Sequence, residues 1–253
     1  MPGVRAAAGL VRLGAHGRRM GLGVYVGPLT RYHMGDWLLI AQQAGEQLGM
    51  KVTIVRTRPE PADAITDPAA VLDAVLGWQS RLCAALGGAQ PWAERAGLPY
   101  WTDKPGWDGY GGLVLLAAYD ERPDLRPEAG EDPGEFASSP AYAAAAGNPQ
   151  RYPSLLGGVE WRLPVSTGPA VFQARRPDGK PARVGQIGHL LDGLQRLNHR
   201  ALGLGQEDLR AARRDGPPAV AASVQDAGRF GLAIMLSLGG HARQASQPLL
   251  LDY

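Results

Sequence analysis

The segment Pro99-Tyr100-Trp101-Thr102-Asp103-Lys104-Pro105-Gly106-Trp107-Asp108-Gly109-Tyr110-Gly111-Gly112 leads straight into Leu113-Val114-Leu115-Leu116-Ala117-Ala118. A helix that is apolar on nearly every face has to be surrounded by other elements. Whatever this chain folds into is therefore built around residues 113–118, and the loop before them has to reach the core. That loop carries four aromatic rings, two carboxylates and one lysine, stiffened by two prolines. Large rings left in water gain nothing, while proline and glycine restrict the backbone to particular paths, so the loop is specified and not filler. Asp108 stands where it could cap the following helix.

The rest of the chain reads as mixed strands and helices. Leu22–Val26 and the β-branched run Lys51–Arg56 are strand-like. Between them Trp37, Ile40, Ala41, Ala44 and Leu48 recur at helical spacing, with Asp36 as N-cap and Gly49 as terminator. Parallel pairing of the two strands is one expectation for this order. Asp67 and Pro68 open a helix whose Val71, Val75, Trp78, Leu82 and Leu86 form one apolar stripe. Residues 120–137 hold seven acidic residues and several prolines, and read as an exposed, mobile connection. Ser138-Ser139-Pro140 begins an alanine-rich helix. Strands then follow over Val159–Val165, 170–174 and 182–187, the last two flanking the Asp178-Gly179 turn of a hairpin. Helices are expected from Ile187 to Leu197 and from about Ala222 to Arg243, separated by a polar, partly basic stretch. The closing Leu249-Leu250-Leu251 is expected to dock as an edge strand.

These elements predict an α+β fold with a mixed or antiparallel sheet and packed helices, in a single domain spanning residues 20–253. Residues 1–19 are expected to be a disordered or non-native arm. The whole chain holds 26 Lys and Arg against 24 Asp and Glu, and no acidic residue precedes Asp36. The basic excess thus sits in the arm, and nucleic acid is not an expected partner. Cys83, the one cysteine, rules out an intramolecular disulfide. No apolar run approaches the length of a membrane-spanning helix. The expectation is a cytoplasmic protein with no membrane association, no cofactor and no metal, since His189, His199 and His241 lack partners at ligand spacing. The oligomeric state is not readable.

Two functional readings arise. In the first, Tyr32, Trp37, Trp101, Lys104, Trp107 and Tyr110 form an aromatic and acidic surface that binds another protein, because aromatic rings, tyrosine and arginine serve as interface anchors. In the second, Asp103, Asp108 and His33 meet in a cleft as a hydrolase or transferase, with desolvating rings raising one carboxyl. Arg31–Trp37 lies after the first strand, where open α/β sheets hold ligands. Glu160 and Arg162 share one face of their strand, as a surface ion pair would. Arg175, Arg176, Lys180 and Arg183 cluster at the hairpin, where solvation or contact with an acidic partner are both open. In its succession of strand, turn and helix units with Trp-rich loops, the chain resembles immunity proteins that neutralise partner toxins, in layout and without a shared motif. That resemblance implies a protein partner.

Overall fold

Val24, Tyr25 and Val26 form the inner part of β1 (Gly23–Val26), and the alternation of their side chains decides the architecture. The computed structural model describes residues 21–38, 40–49, 67–95, 97–128, 130–219 and 222–253. Val24 and Val26 point to one face of the sheet and Tyr25 to the other, as period-two geometry requires. Both faces are covered, so every residue of β1 is buried.

The sheet has six strands: β1, β2 (Trp101–Asp103), β3 (Trp161–Leu163), β4 (Val171–Arg175), β5 (Pro181–Gln186) and β6 (Leu249–Asp252), in the order β2-β1-β6-β3-β5-β4. β3 and β5 are parallel; every other neighbouring pair is antiparallel. The expected α+β class with a mixed sheet is what the chain adopts. The triple leucine is not at an edge, however. β6 is inserted between β1 and β3, because Leu249 and Leu251 on one side and Leu250 on the other all find cores to enter. Both neighbours of β1 run antiparallel to it. The segment Lys51–Arg56, the expected parallel partner, lies outside the described residues, as does the arm at residues 1–19.

One face of the sheet packs mainly aliphatic side chains against α4 (Gly106–Glu121), α7 (Ile187–Leu197) and α9 (Val224–Ala245). α4 is buried from Gly109 to Tyr119, as its all-round apolar sequence demands. The glycines in its first two turns serve its crossing with α9. A Cβ on Gly112 would stand 2.5 Å from the Gly228 amide nitrogen, and one on Gly231 would stand 2.1 Å from the Gly109 carbonyl oxygen. The two backbones touch, and any larger residue would push them apart. Asp108 lies in the first turn of α4 and does not cap it; the helix starts two residues earlier, after Pro105.

The opposite face is aromatic. Tyr25, Trp161 and Leu250 pack under α1 (Leu29–Met34) and α3 (Pro68–Ala85), with Trp78 and Trp92. Asp67 caps α3 through the Ala69 amide, and Val71, Val75, Trp78 and Leu82 are buried as the stripe predicts. α1 was not foreseen. Its first amides, Leu29 N and Thr30 N, are capped by the Glu94 carboxylate from 65 and 64 residues away, and it ends at Gly35 in the left-handed region. Asp36 instead pairs with Arg31 at 3.4 Å. The next helix, α2 (Ile40–Gln47), is shorter than its periodicity suggested, and Leu48 is exposed.

α5 (Pro140–Ala146), capped by Ser139, and α6 (Pro153–Leu156) complete the aliphatic side. The acidic connection does not read out as an open chain over its described residues. It forms short 3-10 turns at Pro123–Leu125 and Pro133–Ser138, and buries Pro133 and Gly134 against α4. The polar stretch after α7 contains α8 (Gln206–Asp215), whose first turn is acidic and whose last is basic, matching the helix dipole.

Candidate functional site

At one end of the sheet, where β6 finishes, β3 begins and the β4–β5 hairpin turns, a cleft of about 270 Å³ opens. Its walls come from sequence-distant elements. α1 contributes Tyr32 and His33, the start of β3 contributes Glu160 and Trp161, the hairpin contributes Arg176, Asp178 and Lys180, and β6 leads to Tyr253. Trp161 is the floor, with the His33 ring 6.0 Å from it and the Arg176 guanidinium over its face at 5.7 Å.

The charges in this cleft pair loosely. Arg176 lies 3.8 Å from the Glu160 carboxylate and 3.7 Å from that of Asp178, and Lys180 lies 3.6 Å from Asp178. All three distances exceed those of a charge-assisted hydrogen bond. The Nε atom of Arg176 and the Nε2 atom of His33 are both buried, and neither has a hydrogen-bond partner among the described residues. Burial holds the His33 pKa below its ordinary 6.5; Asp178 pulls it up, while Arg176 and Lys180 add to the depression. The imidazole is therefore uncharged at neutral pH. Tyr32 donates to Asp252 at 2.9 Å, and burial with that carboxylate pushes its phenol well above the ordinary range. Tyr253 is half exposed at the rim, its ring 5.3 Å from that of Trp107. Uncharged imidazole, cation and carboxylates within one concavity can accept, donate or hold a proton.

Of the residues singled out in the sequence, His33 and Tyr32 line this cleft, and Trp107 touches it through Tyr253. Asp103 does not. It pairs with Val24 in register and turns to the aliphatic face, where its carboxylate holds Arg213 of α8 at 2.8 Å. His33 is on the aromatic face, and three strand steps of about 4.8 Å each separate β2 from β3. Asp108 is exposed on α4. The three residues of the hydrolase reading are thus not brought together.

The rings expected to form a binding surface are directed mostly inward. Tyr110 is buried, Trp101 stacks on His241 at 4.8 Å, Trp107 packs against Phe136, and Trp37 stacks on Tyr32 at 5.8 Å. Lys104 alone of that set is exposed. Glu160 and Arg162 do not form the surface pair that alternation suggested. Arg162 is wholly buried and donates to the Ser154 carbonyl at 2.9 Å, whereas Glu160 faces Arg176.

Glu160, Trp161, Arg176, Asp178, Lys180 and Tyr253 were not assembled into a site from the sequence. The available signal was the Asp178-Gly179 turn, which folds the hairpin so that Arg176 and Lys180 flank one carboxylate. No cluster of three or more His, Cys, Asp or Glu suited to a metal occurs among the described residues, and no helix among them is long and apolar enough to cross a membrane. No protein-family model, curated protein or solved structure matches this chain.

Proposed function

We propose that this protein binds a small polar molecule in the cleft at the end of the sheet, between α1 and the β4–β5 hairpin. The observation that carries the reading is that His33 and Arg176, which line one concavity, each keep a buried nitrogen, Nε2 and Nε, that makes no hydrogen bond among the described residues. A buried polar atom without a partner costs roughly 1–3 kcal/mol, which a ligand's hydrogen bond removes. The mutual looseness of Arg176, Glu160, Asp178 and Lys180 supports the same reading, since little has to be broken before the charges turn to a ligand.

A second reading rests on the uncharged His33. As a hydrolase or transferase, the protein would use His33 as proton acceptor, with Glu160 and Asp178 in place of the distant Asp103 and Asp108.

Thermal denaturation against a panel of polar small molecules tests the proposal. A ligand at 100 times its Kd adds about 2.7 kcal/mol, roughly 5–10 °C in Tm for a chain of this size. Wild type is expected to show such a shift with at least one compound, and Arg176→Met is expected to lose it. An unchanged shift in Arg176→Met places the binding elsewhere.

A further inference from the structure

The cleft has an aromatic floor and rim with charged walls between them, and the balance of its charges narrows what it can take. Glu160 and Asp178 supply two carboxylates, and Arg176 and Lys180 supply two cations. With His33 uncharged the four charges balance, so a plain anion leaves a negative excess and offers nothing to Glu160 or Asp178. A plain cation leaves a positive excess and gives nothing to Arg176, whose nitrogens can only donate. A molecule bearing both signs satisfies both requirements and leaves the local charge unchanged. The ion pairs it must displace are the loose ones of 3.6–3.8 Å. At about 270 Å³ the cleft lies just under the 300–1,000 Å³ typical of drug-sized sites, which suits a single amino acid better than a peptide. The rim is made by the half-exposed ring of Tyr253, backed by Trp107.

We infer that the cleft receives a zwitterionic α-amino acid with an apolar or aromatic side chain, an assignment that rests on the small-molecule reading above. The ligand carboxylate draws Arg176 away from Glu160, the ligand ammonium takes the freed Glu160, and the side chain lies against Tyr253. The swap exchanges one loose internal ion pair for two ligand pairs, and His33 Nε2 supplies one further hydrogen bond.

Calorimetric titration of the full chain tests this with four probes: L-phenylalanine, N-acetyl-L-phenylalanine, phenethylamine and L-alanine. Phenylalanine is expected to bind most tightly. Removing its positive charge by acetylation, its carboxylate as in phenethylamine, or its ring as in alanine is each expected to weaken binding about tenfold, equivalent to about 1.4 kcal/mol. Glu160→Gln should bring phenylalanine and its N-acetyl form to similar affinity, and Tyr253→Ala should bring phenylalanine down to alanine. Both side chains are partly exposed, so the fold should survive either change. N-acetylphenylalanine or phenethylamine binding as well as phenylalanine would overturn the assignment. So would binding of other polar molecules but none of the four, which would leave the broader reading standing. Failure of every polar molecule to bind would remove both.

Discussion

The two faces of the sheet are packed by different means. On the aliphatic side α4 and α9 meet through Gly109, Gly112, Gly228 and Gly231, backbone against backbone, leaving no room for a further side chain. On the aromatic side Trp78 meets Trp92 and Trp161 edge to face at centroid distances near 6 Å, Tyr25 meets Trp37 at 5.2 Å, and polar groups lie among the rings. Glu94 is one such group. Its carboxylate accepts from Leu29 N, Thr30 N and Trp92 Nε1, so burial, which pushes its pKa up, is opposed by good hydrogen bonds. His33 is another, and its Nε2 has no such partner among the described residues. Close glycine packing makes a scaffold; large rings that tile imperfectly leave a cleft at the margin.

This contrast breaks most easily at its largest side chain. Trp78 is buried on the aromatic face and its indole nitrogen donates to the Arg175 carbonyl of β4, so Trp78→Ala should cost about 3–5 kcal/mol in chemical denaturation. An unchanged midpoint would mean that α3 does not seal this face. The glycine side is tested by Gly231→Ala, expected to cost about 1–3 kcal/mol because its Cβ meets the Gly109 carbonyl. Gly240→Ala, on the same helix with nothing within 4 Å of the added carbon, should instead stabilise by about 0.5–1 kcal/mol. Equal effects at both positions would refute close backbone packing as the cause.

Asp103 separates the scaffold from the site. It holds Arg213 by two nitrogens, joining β2 to α8. Asp103→Asn should lower stability by about 1 kcal/mol while leaving ligand binding intact. Loss of binding at unchanged stability would bring Asp103 back into the functional site. The smallest effect concerns pH. His33 has a folded pKa below 6.5, so the unfolded chain takes up its proton first as the pH falls, and this contribution to stability is lost below about pH 6.5. Burial is the main cause of the effect, opposed by Asp178 and reinforced by Arg176 and Lys180. His241, also lowered by burial and by Arg213, contributes in the same direction. His33→Gln should therefore flatten part of the decline below pH 6.5. An unchanged decline would mean that His33 is not desolvated.

Where local signals agree with the fold, the sequence was readable. The Asp67-Pro68 start, the stripe to Leu82, the apolar run of α4 and the Asp178-Gly179 hairpin each carry their own cause within a few residues. What could not be read depends on distant partners. α1 is a six-residue helix capped by Glu94, and nothing near Leu29 announces it. β6 read as an edge strand, and its place between β1 and β3 depends on both faces of the sheet being available to its leucines. The cleft was half legible for the same reason. His33 was visible at the end of the first strand unit, but the groups that surround it arrive from β3, the hairpin and β6, and pairing across a sheet leaves no spacing rule in the chain. Asp103 and Asp108, close to each other in sequence, were separated by the start of α4, one turning toward α8 and the other to solvent.

The most direct test of the cleft as the functional site is to map amide chemical-shift changes while titrating the protein with mixed polar fragments, including zwitterions, sugars and carboxylic acids. The account predicts saturable changes confined to residues 31–34, 160–162, 176–181 and 251–253, the segments that wall the cleft. Changes centred instead on the outer surface of α9 around Leu236 and His241, or no saturable change at all, would contradict it.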